Sequence, residues 1–245
     1  MTKLLIFDYD NTIAQRNSPL SQEMIPLLSE LLKNNYIAIL TGGRTYDQLK
    51  NWIVDKISRS NNTDHLLLCL EYGNIIYQKN PYWKQIFHAS TFNSLYKREI
   101  LEVWKHIDKK QYGLERHCGS QKTNKDTILS LDCLGKNISN DIKNTWDSNM
   151  KKRIDICKYF GQKLSFDINI HITGRKTIDF IEIGKDKSSN IKRLSKLTNI
   201  DMNSVEYFGD EFTKYGNDYP ILDLGIKVHK VKNPKETLLI LQSYL

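Results

Sequence analysis

The sequence of 245 residues is long enough to bury a substantial apolar interior, either in one large domain or in a core domain with one insertion. Its four cysteines, Cys69, Cys118, Cys133 and Cys157, lie far apart and form no CxxC pair, so their spacing indicates neither a zinc knuckle nor a disulfide framework. The formal net charge of +8 favours anionic partners, and because the lysines are scattered it favours phosphorylated metabolites over nucleic acid.

The chain begins with alternating strand and helix patterns. Residues 3–7 form a short apolar run that ends in carboxylates, as expected of a buried parallel strand. Apolar residues at helical spacing predict a helix over residues 21–33, and strands are predicted at 36–40 and 66–70 with a helical stretch at 45–57 between them. This βαβαβ order predicts an α/β fold with a Rossmann-like, doubly wound parallel sheet.

The first strand also bears on localisation. The N-terminal segment becomes acidic at Asp8 before the apolar region of a signal peptide could form, and no stretch approaches the roughly 18 apolar residues of a membrane span. We therefore expect a cytoplasmic protein that does not enter a membrane.

The pattern changes between about residues 81 and 178. Long polar helices are predicted around 93–107 and 139–160, and alternating segments at 127–134 and 165–172 lie among them. Such a mixture is typical of an α+β layer.

The α/β pattern returns in the last part of the chain. The elements predicted there are a helix near 188–197, strands at 205–208 and 226–231, and a closing helix from Pro234. The simplest account is a core domain made of residues 1–80 and 183–245, with an α+β cap domain at 81–182 inserted into it.

Three carboxylates follow predicted strands. Asp8 and Asp10 lie at the carboxyl end of the first strand, where ligands bind in open α/β sheets, and alternate positions of an extended chain face the same way. Asp210 follows a later strand. Because such charges repel unless a cation lies with them, and because Mg²⁺ prefers oxygen ligands, these three residues predict a magnesium site.

The same residues fit phosphoryl transfer with a carboxylate nucleophile. Asp8 would attack phosphorus to give an aspartyl phosphate, and Asp10 would protonate the leaving oxygen and later activate the acceptor. Thr41 follows the second strand and can donate a hydrogen bond to the phosphoryl group, while Lys187, at a predicted helix start, can neutralise its charge. The loop residues after Thr41 are predicted to bind substrate; they are Gly42, Gly43 and Arg44.

This ordered set of motifs resembles the haloacid dehalogenase superfamily, whose four motifs match Asp8/Asp10/Thr12, Thr41, Lys187 and Asp210. That superfamily usually has glycine where this chain has Asn11, the non-glycine residue that best tolerates a positive φ. The resemblance implies a phosphoryl-transfer enzyme with an α/β core and an inserted cap.

Within the superfamily the chain is similar to the eukaryotic-type phosphomannomutases, in length and in its α+β cap between the second and third motifs. The segment Phe208 to Asp218 carries the closest likeness, including the step from Asp210 to Asp218, and singles out Asn217 and Asp218. The resemblance further assigns substrate contacts to Arg16, Thr177 and Asp179.

The cap departs from that family at one position. The segment 129–136 resembles a strand that ends in an arginine holding the distal phosphate of the sugar, but here it ends in Lys136. Further candidates for that phosphate are Arg116, Lys122 and Lys125. Lysine lacks the bidentate fork of arginine, so a weaker hold on a bisphosphate is expected.

This difference favours one activity over another. A mutase must keep water from the aspartyl phosphate while its intermediate turns round, so weaker distal binding favours a sugar phosphatase. The alternative is a phosphomannomutase that interconverts mannose 6-phosphate and mannose 1-phosphate, and a second alternative is a non-catalytic protein that binds anions or nucleic acid. Cap helices of similar enzymes pair in dimers, which makes a homodimer through the cap a further hypothesis.

Overall fold

The computed structural model describes residues 2–57, 63–114, 125–135 and 138–245. The chain forms two compact units. The first, called the core unit, comprises Met1–Ala89, Lys185–Thr213 and Asp218–Leu245, and the second, called the insert unit, comprises Ser90–Gly184 and Lys214–Asn217.

The helices and strands alternate along much of the described chain. The strands are β1 (Leu4–Phe7), β2 (Tyr36–Leu40), β3 (Leu66–Leu70), β4 (Ile75–Lys79), β5 (Trp83–His88), β6 (Leu129–Asp132), β7 (Asn169–Thr173), β8 (Thr177–Ile181), β9 (Val205–Gly209) and β10 (Lys227–Lys230). The helices are α1 (Met24–Leu31), α2 (Tyr46–Leu49), α3 (Asp55–Ile57), α4 (Ser94–Lys105), α5 (Asn140–Thr145), α6 (Lys151–Lys163), α7 (Lys187–Thr198) and α8 (Pro234–Gln242), and the π-helical segment Lys50–Val54 joins α2 to α3.

The core unit is built on a seven-stranded sheet with the order β10-β9-β1-β2-β3-β4-β5. The five strands from β10 to β3 run parallel, whereas β4 and β5 are antiparallel to their neighbours. Successive residues of the central strands enter opposite apolar layers, with α1 and α8 contributing to one layer and α7 to the other. Because both faces of the sheet are covered, strands such as β1 are apolar at every position. The predicted doubly wound α/β fold is confirmed.

The register of the parallel strands brings the predicted site residues that follow β1, β2 and β9 to the carboxyl end of this sheet. Phe7 at the end of β1 pairs with Ile39 of β2 on one side and with Phe208 of β9 on the other. The loops that follow these three strands therefore leave the sheet next to one another.

The insert unit has a three-stranded antiparallel sheet with the order β6-β8-β7. One face of this sheet packs with α4 and α6 in an apolar cluster that includes Ile100, Phe160, Ile178 and Phe180. An α+β arrangement was predicted for this part of the chain, and the unit has that composition.

Two helices occupy the segment for which one long helix was predicted. α5 and α6 are separated by a turn in which Met150 adopts a φ of +61°. The carboxylate of Asp147 accepts hydrogen bonds from the backbone N–H groups of Lys152, at 2.9 Å, and Arg153, at 3.3 Å. Asp147 thus satisfies N–H groups of the first turn of α6, and a new helix begins there.

Three strands were not predicted, namely β4, β5 and β8. β5 contains the polar residues Lys84 and Gln85 and pairs with β4, so the core unit extends to Ala89 rather than ending at residue 80. Among the described residues, no helix combines the length and the apolar character needed to cross a bilayer.

Candidate active site

The site of the core unit is formed by the loops after β1, β2 and β9 and by the first turn of α7. The backbone N–H of Asp8 donates to the carbonyl of Phe208 at 2.9 Å, which ties the first loop to β9. On α7, Asp186 is the N-cap, and its side chain accepts a hydrogen bond from the N–H of Ser189 at 2.9 Å. Lys187 is therefore fixed at the first position of a capped helix.

Lys187 is the centre of a buried ion-pair network. Its Nζ lies 2.7 Å from Oδ1 of Asp8 and 2.6 Å from Oδ1 of Asp218. Lys187 and Asp218 have no exposed surface, and Asp8 is 7% exposed. A buried ammonium is costly unless it is paired, so the two carboxylates stabilise Lys187 in the site and Lys187 in turn orients Asp8.

A tyrosine completes the network. The hydroxyl of Tyr207 donates to Oδ1 of Asp218 at 2.7 Å and accepts from Nζ of Lys187 at 3.1 Å. Gly209 permits this arrangement, because a Cβ at this position would lie 2.5 Å from Oδ2 of Asp218 and 2.7 Å from Cε1 of Tyr207.

The acid–base behaviour of the site reflects its burial. Burial raises the pKa of Asp8, the charge of Lys187 opposes this effect, and the charges of Asp218 and Asp210 add to it. Burial and the charge of Asp218 raise the pKa of Asp210 to about 6. Burial alone would lower the pKa of Lys187, but Asp218 and Asp8 outweigh it and raise the pKa overall. The site thus concentrates negative charge beyond what Lys187 balances.

Asp10 faces a different partner. Its Oδ2 accepts from Nε of Arg44 at 2.9 Å, and its Oδ1 accepts from Nη2 of Arg44 at 2.8 Å and from the backbone N–H of Asn17 at 3.1 Å. Asn11, directly after Asp10, has a φ of +62°. Asparagine tolerates this left-handed region better than most other non-glycine residues.

These contacts bear on the predicted magnesium site. The charge of Asp210 raises the pKa of Asp8, and a divalent cation between such carboxylates would relieve that repulsion. Mg²⁺ is commonly bound by one or two carboxylates with waters in its remaining positions, so this pair fits the ion. Asp10 was predicted as a third ligand, but its carboxylate is held by Arg44. Within the part of the chain that the structure describes, no group of three His, Cys, Asp or Glu side chains is arranged to hold a metal.

A strained turn links Thr41 to the start of α7. Glu71, Tyr72 and Gly73 have consecutive positive φ values of 47°, 67° and 91°. The N–H of Tyr72 donates to the carbonyl of Thr41 at 2.9 Å, and the side-chain amide of Asn190 on α7 donates to the carbonyl of Tyr72, also at 2.9 Å. Backbone strain of this kind persists only where surrounding contacts impose it, and here they fix Thr41 relative to Lys187.

Comparison with known proteins identifies the family. A family model described as haloacid dehalogenase-like hydrolase matches residues 5–228. The chain belongs to the haloacid dehalogenase-like hydrolases. The family predicted from the four motifs is therefore confirmed, and the chain is an enzyme of this hydrolase family.

Individual proteins resemble the chain over most of its length. A phosphomannomutase of Spinacia oleracea is 22% identical over 244 residues, which cover 96% of this chain and 92% of that protein. Phosphomannomutase 2 of Dictyostelium discoideum is 23% identical and covers 98% of this chain. Among solved structures, an IMP-bound, N-terminally truncated IMP-nucleotidase of Plasmodium falciparum superposes with a TM-score of 0.72 at 20% identity, covering 98% of this chain and 67% of that one. A haloacid dehalogenase-like hydrolase of Bacteroides thetaiotaomicron gives a TM-score of 0.64 at 11% identity, with both chains fully covered.

The other predicted residues of this hydrolase lie in several places. In the core unit, Thr41 is 2% exposed and its Oγ1 accepts from the N–H of Gly43 at 3.4 Å, and Arg16 is half-buried. In the insert unit, Thr177 and Asn217 are half-buried, and Asp179 is 1% exposed.

Asp179 lies on the polar face of the insert sheet. It accepts hydrogen bonds from Oγ of Ser130 and, at 3.1 Å, from Oγ1 of Thr173, with Nζ of Lys125 at 4.0 Å. Three residues proposed for the distal phosphate, Arg116, Lys122 and Lys136, lie outside the described residues.

Three residues of the hydrolase site had no assigned role in the sequence. The sequence singles out Asp218 only through its spacing from Asp210, and it indicates neither a role for Tyr207 nor a contact between Asn17 and Asp10. The residue types alone gave no signal for these contacts, because an aspartate and a tyrosine that flank a Gly-Asp motif can reach the same lysine only when the intervening loop folds back.

Proposed function

We propose that this enzyme is a Mg²⁺-dependent phosphatase that acts on a phosphorylated sugar and uses Asp8 as its nucleophile. The observation that carries the proposal is the 2.7 Å contact between Nζ of Lys187 and Oδ1 of Asp8 in a buried network. A lysine in this position both orients the attacking carboxylate and supplies positive charge for the transferring phosphoryl group.

Two half-reactions follow from these residues. In the first, an oxygen of Asp8 bonds to phosphorus, the bond from phosphorus to the leaving oxygen breaks, and Asp10 gives that oxygen its proton. In the second, water bonds to the same phosphorus, its proton passes to Asp10, and the bond between Asp8 and phosphorus breaks to release inorganic phosphate. Mg²⁺ held by Asp8 and Asp210 would neutralise negative charge on the phosphoryl oxygens.

The substrate class is proposed from the relatives and from the insert unit. Relatives named phosphomannomutase match 96% of this chain or more, and their name implies a sugar phosphate. Thr177, Asp179 and Lys136 of the insert unit, with Arg16 of the core unit, are the proposed substrate-binding residues. Lysine at position 136 favours hydrolysis, because it would hold a bisphosphate intermediate less firmly than arginine.

The alternative function is a phosphomannomutase. It is favoured by the match to phosphomannomutases over nearly the full length of both chains. The two activities share Asp8, Asp10 and Lys187 and differ in whether water or a sugar hydroxyl accepts the phosphoryl group.

The test supplies mannose 1-phosphate with Mg²⁺ and a catalytic amount of hexose bisphosphate, and follows free phosphate and mannose 6-phosphate together. IMP is tested in parallel, because the IMP-nucleotidase resembles this chain in fold. Asp8→Asn removes the proposed nucleophile, and Asp47→Asn, at an exposed aspartate of α2, is the matched control.

Phosphate release that requires Asp8 and Mg²⁺, and that Asp47→Asn leaves unchanged, would support the proposal. Formation of mannose 6-phosphate without free phosphate would establish the mutase instead. Preferential release of phosphate from IMP would support the proposed mechanism but change the proposed substrate from a sugar phosphate to a nucleotide. Full activity of Asp8→Asn would refute the mechanism itself.

A further inference from the structure

Arg44 and Asp10 form a bidentate ion pair within the core unit. Nε of Arg44 donates to Oδ2 of Asp10 at 2.9 Å, and Nη2 donates to Oδ1 at 2.8 Å. The side chains are 12% and 22% exposed, respectively, so the pair is largely removed from water. A fork of this geometry fixes the plane of a carboxylate as well as its position.

Arg44 is itself held in place on two further sides. Its Nη2 donates to Oδ1 of Asn17 at 2.7 Å, and its guanidinium lies over the ring of Trp52 at 5.4 Å from the centroid. A guanidinium that is stacked and hydrogen-bonded in this way is pre-organised before any substrate enters.

The contacts distinguish the two oxygens of Asp10. A carboxylate offers about four lone-pair sites, two on each oxygen. Oδ1 accepts from Arg44 and from the backbone N–H of Asn17, whereas Oδ2 accepts from Arg44 alone among the described residues. Oδ2 is thus the oxygen with a site left to exchange a proton with a reacting group.

We propose that Arg44 is a positioning residue for Asp10, which presents Oδ2 as the proton-carrying oxygen of the acid/base, rather than a residue that binds substrate. The proposal rests on the proposed function. As the bond from phosphorus to the leaving oxygen breaks, the proton on Oδ2 passes to that oxygen, and Oδ2 later receives a proton from the attacking water. Arg44 and Asn17 keep the carboxyl group from rotating away between these steps.

The effect of the leaving group on kcat/KM shows whether Arg44 positions Asp10 or binds substrate. p-Nitrophenolate leaves as a stable anion and needs little protonation, whereas the alkoxide of mannose 6-phosphate needs a proton as it leaves. The ratio kcat/KM reports the first half-reaction for both substrates, in which Asp10 acts as the acid. Loss of general acid catalysis costs roughly 10²-fold or more.

The variant is Arg44→Met, with Arg44→Lys as a second variant that keeps the charge but lacks the fork. We expect Arg44→Met to lower kcat/KM about 100-fold for mannose 6-phosphate and less than about fivefold for p-nitrophenyl phosphate. Arg44→Lys should show the same substrate dependence with a smaller loss, and it remains informative if Arg44→Met does not fold.

Arg193→Met is the matched control. Arg193 also stacks on an aromatic ring, that of Phe87 at 4.1 Å from the centroid, and contacts an asparagine side chain, that of Asn190. Its loss should change both kcat/KM values by the same factor.

Equal losses for both substrates in the Arg44 variants, or a rise in KM common to both with kcat unchanged, would overturn the proposal and restore Arg44 as a substrate ligand. If the unaltered enzyme hydrolyses neither substrate, the proposed function fails, and this inference fails with it. The two failures are distinguishable because the first requires an active parent enzyme.

Discussion

Lys187 and Asp218 form an ion pair in which both side chains are fully buried and Nζ lies 2.6 Å from Oδ1. Taking two charges out of water is expensive, and a buried pair of this kind adds little net stability compared with apolar residues. Its benefit is therefore functional. Asp218 holds the ammonium at the point where it also contacts Asp8, the proposed nucleophile, and so fixes the conformation of the lysine side chain.

Removing the charge of Asp218 should disturb both folding and turnover. Asp218→Asn leaves Lys187 with Asp8 as its only described carboxylate partner, and breaking a buried pair costs about 3–5 kcal/mol. We expect a loss of this size in the free energy of unfolding and a fall in kcat of about tenfold or more. Urea denaturation and steady-state kinetics measure the two effects. Asp223→Asn, at an exposed aspartate nearby in the sequence, should change neither.

Loss of the Tyr207 hydroxyl should lower the free energy of unfolding and kcat, but by less than loss of the Asp218 charge. Tyr207→Phe removes one donor to Asp218 and one acceptor for Lys187 while keeping the buried ring, and a net hydrogen bond contributes about 1 kcal/mol. We expect kcat to fall about fivefold with KM nearly unchanged, because the proposed role of Lys187 is in the chemical step. An unchanged kcat, with only a lower stability, would show that the hydroxyl is structural.

Magnesium dependence should report on Asp210. After removal of divalent ions with EDTA, activity should return on addition of Mg²⁺, and Asp210→Asn should raise the half-maximal Mg²⁺ concentration at least about tenfold. Asn11→Ala removes a side-chain hydrogen bond to Asp210 of 3.1 Å and should give a smaller shift. If Asp210→Asn needs the same Mg²⁺ concentration as the parent enzyme, Asp210 is not a ligand in the proposed metal site.

The sequence predicted where the site residues lie along the chain more clearly than it predicted the contacts between their side chains. Parallel strands buried on both faces are largely apolar, so the runs at β1, β2, β3 and β9 were predictable, and with them the loops that hold Asp8, Thr41 and Asp210. Lys187 follows a capping aspartate, which marks a helix start. These signals are local, and local signals survive in a single sequence.

Contacts made by tertiary folding had no such signal. Asp218 lies 31 positions from Lys187, and the loop between β9 and Asp218 must fold back before they can meet. Arg44 stands next to two glycines in a loop expected to bind substrate, and nothing in its neighbours indicates that its fork turns to Asp10. β5 was missed for a similar reason, because its polar residues are compatible with a strand only through pairing with β4.

The loop after β2 allows a test of close packing. A Cβ at Gly42 would lie 2.8 Å from Cε2 of the fully buried Tyr72, whereas a Cβ at Gly43 would meet nothing within 4 Å. Overpacking costs about 1–3 kcal/mol, so Gly42→Ala should lower the free energy of unfolding by that amount and reduce kcat by shifting Thr41. Gly43→Ala is the control and should be close to neutral in stability. Equal effects of the two variants would argue against the tight contact with Tyr72.

Glu206 of β9 is surrounded by hydrogen-bond donors. It is 4% exposed and accepts hydrogen bonds from Nζ of Lys3 at 2.6 Å and from the hydroxyl of Tyr244; Nε2 of His229 lies at 2.7 Å and Nζ of Lys227 at 3.2 Å. Burial alone would raise the pKa of Glu206, but these partners outweigh it and lower the pKa from 4.5 to about 2.

A lowered pKa in the folded state fixes the sign of the pH dependence. The carboxylate stabilises the fold above pH 4.5, and this contribution is lost as the pH falls from 4.5 towards about 2, where the folded protein also takes up the proton. Glu206→Gln should therefore lower the free energy of unfolding at pH 7 by about 2 kcal/mol, and its difference from the parent should shrink as the pH falls through that window. Urea denaturation at a series of pH values between 7 and about 2.5 measures this. Tyr244→Phe, which keeps the charge, should show a smaller difference that varies less with pH, and a constant difference for Glu206→Gln across the series would contradict the assignment.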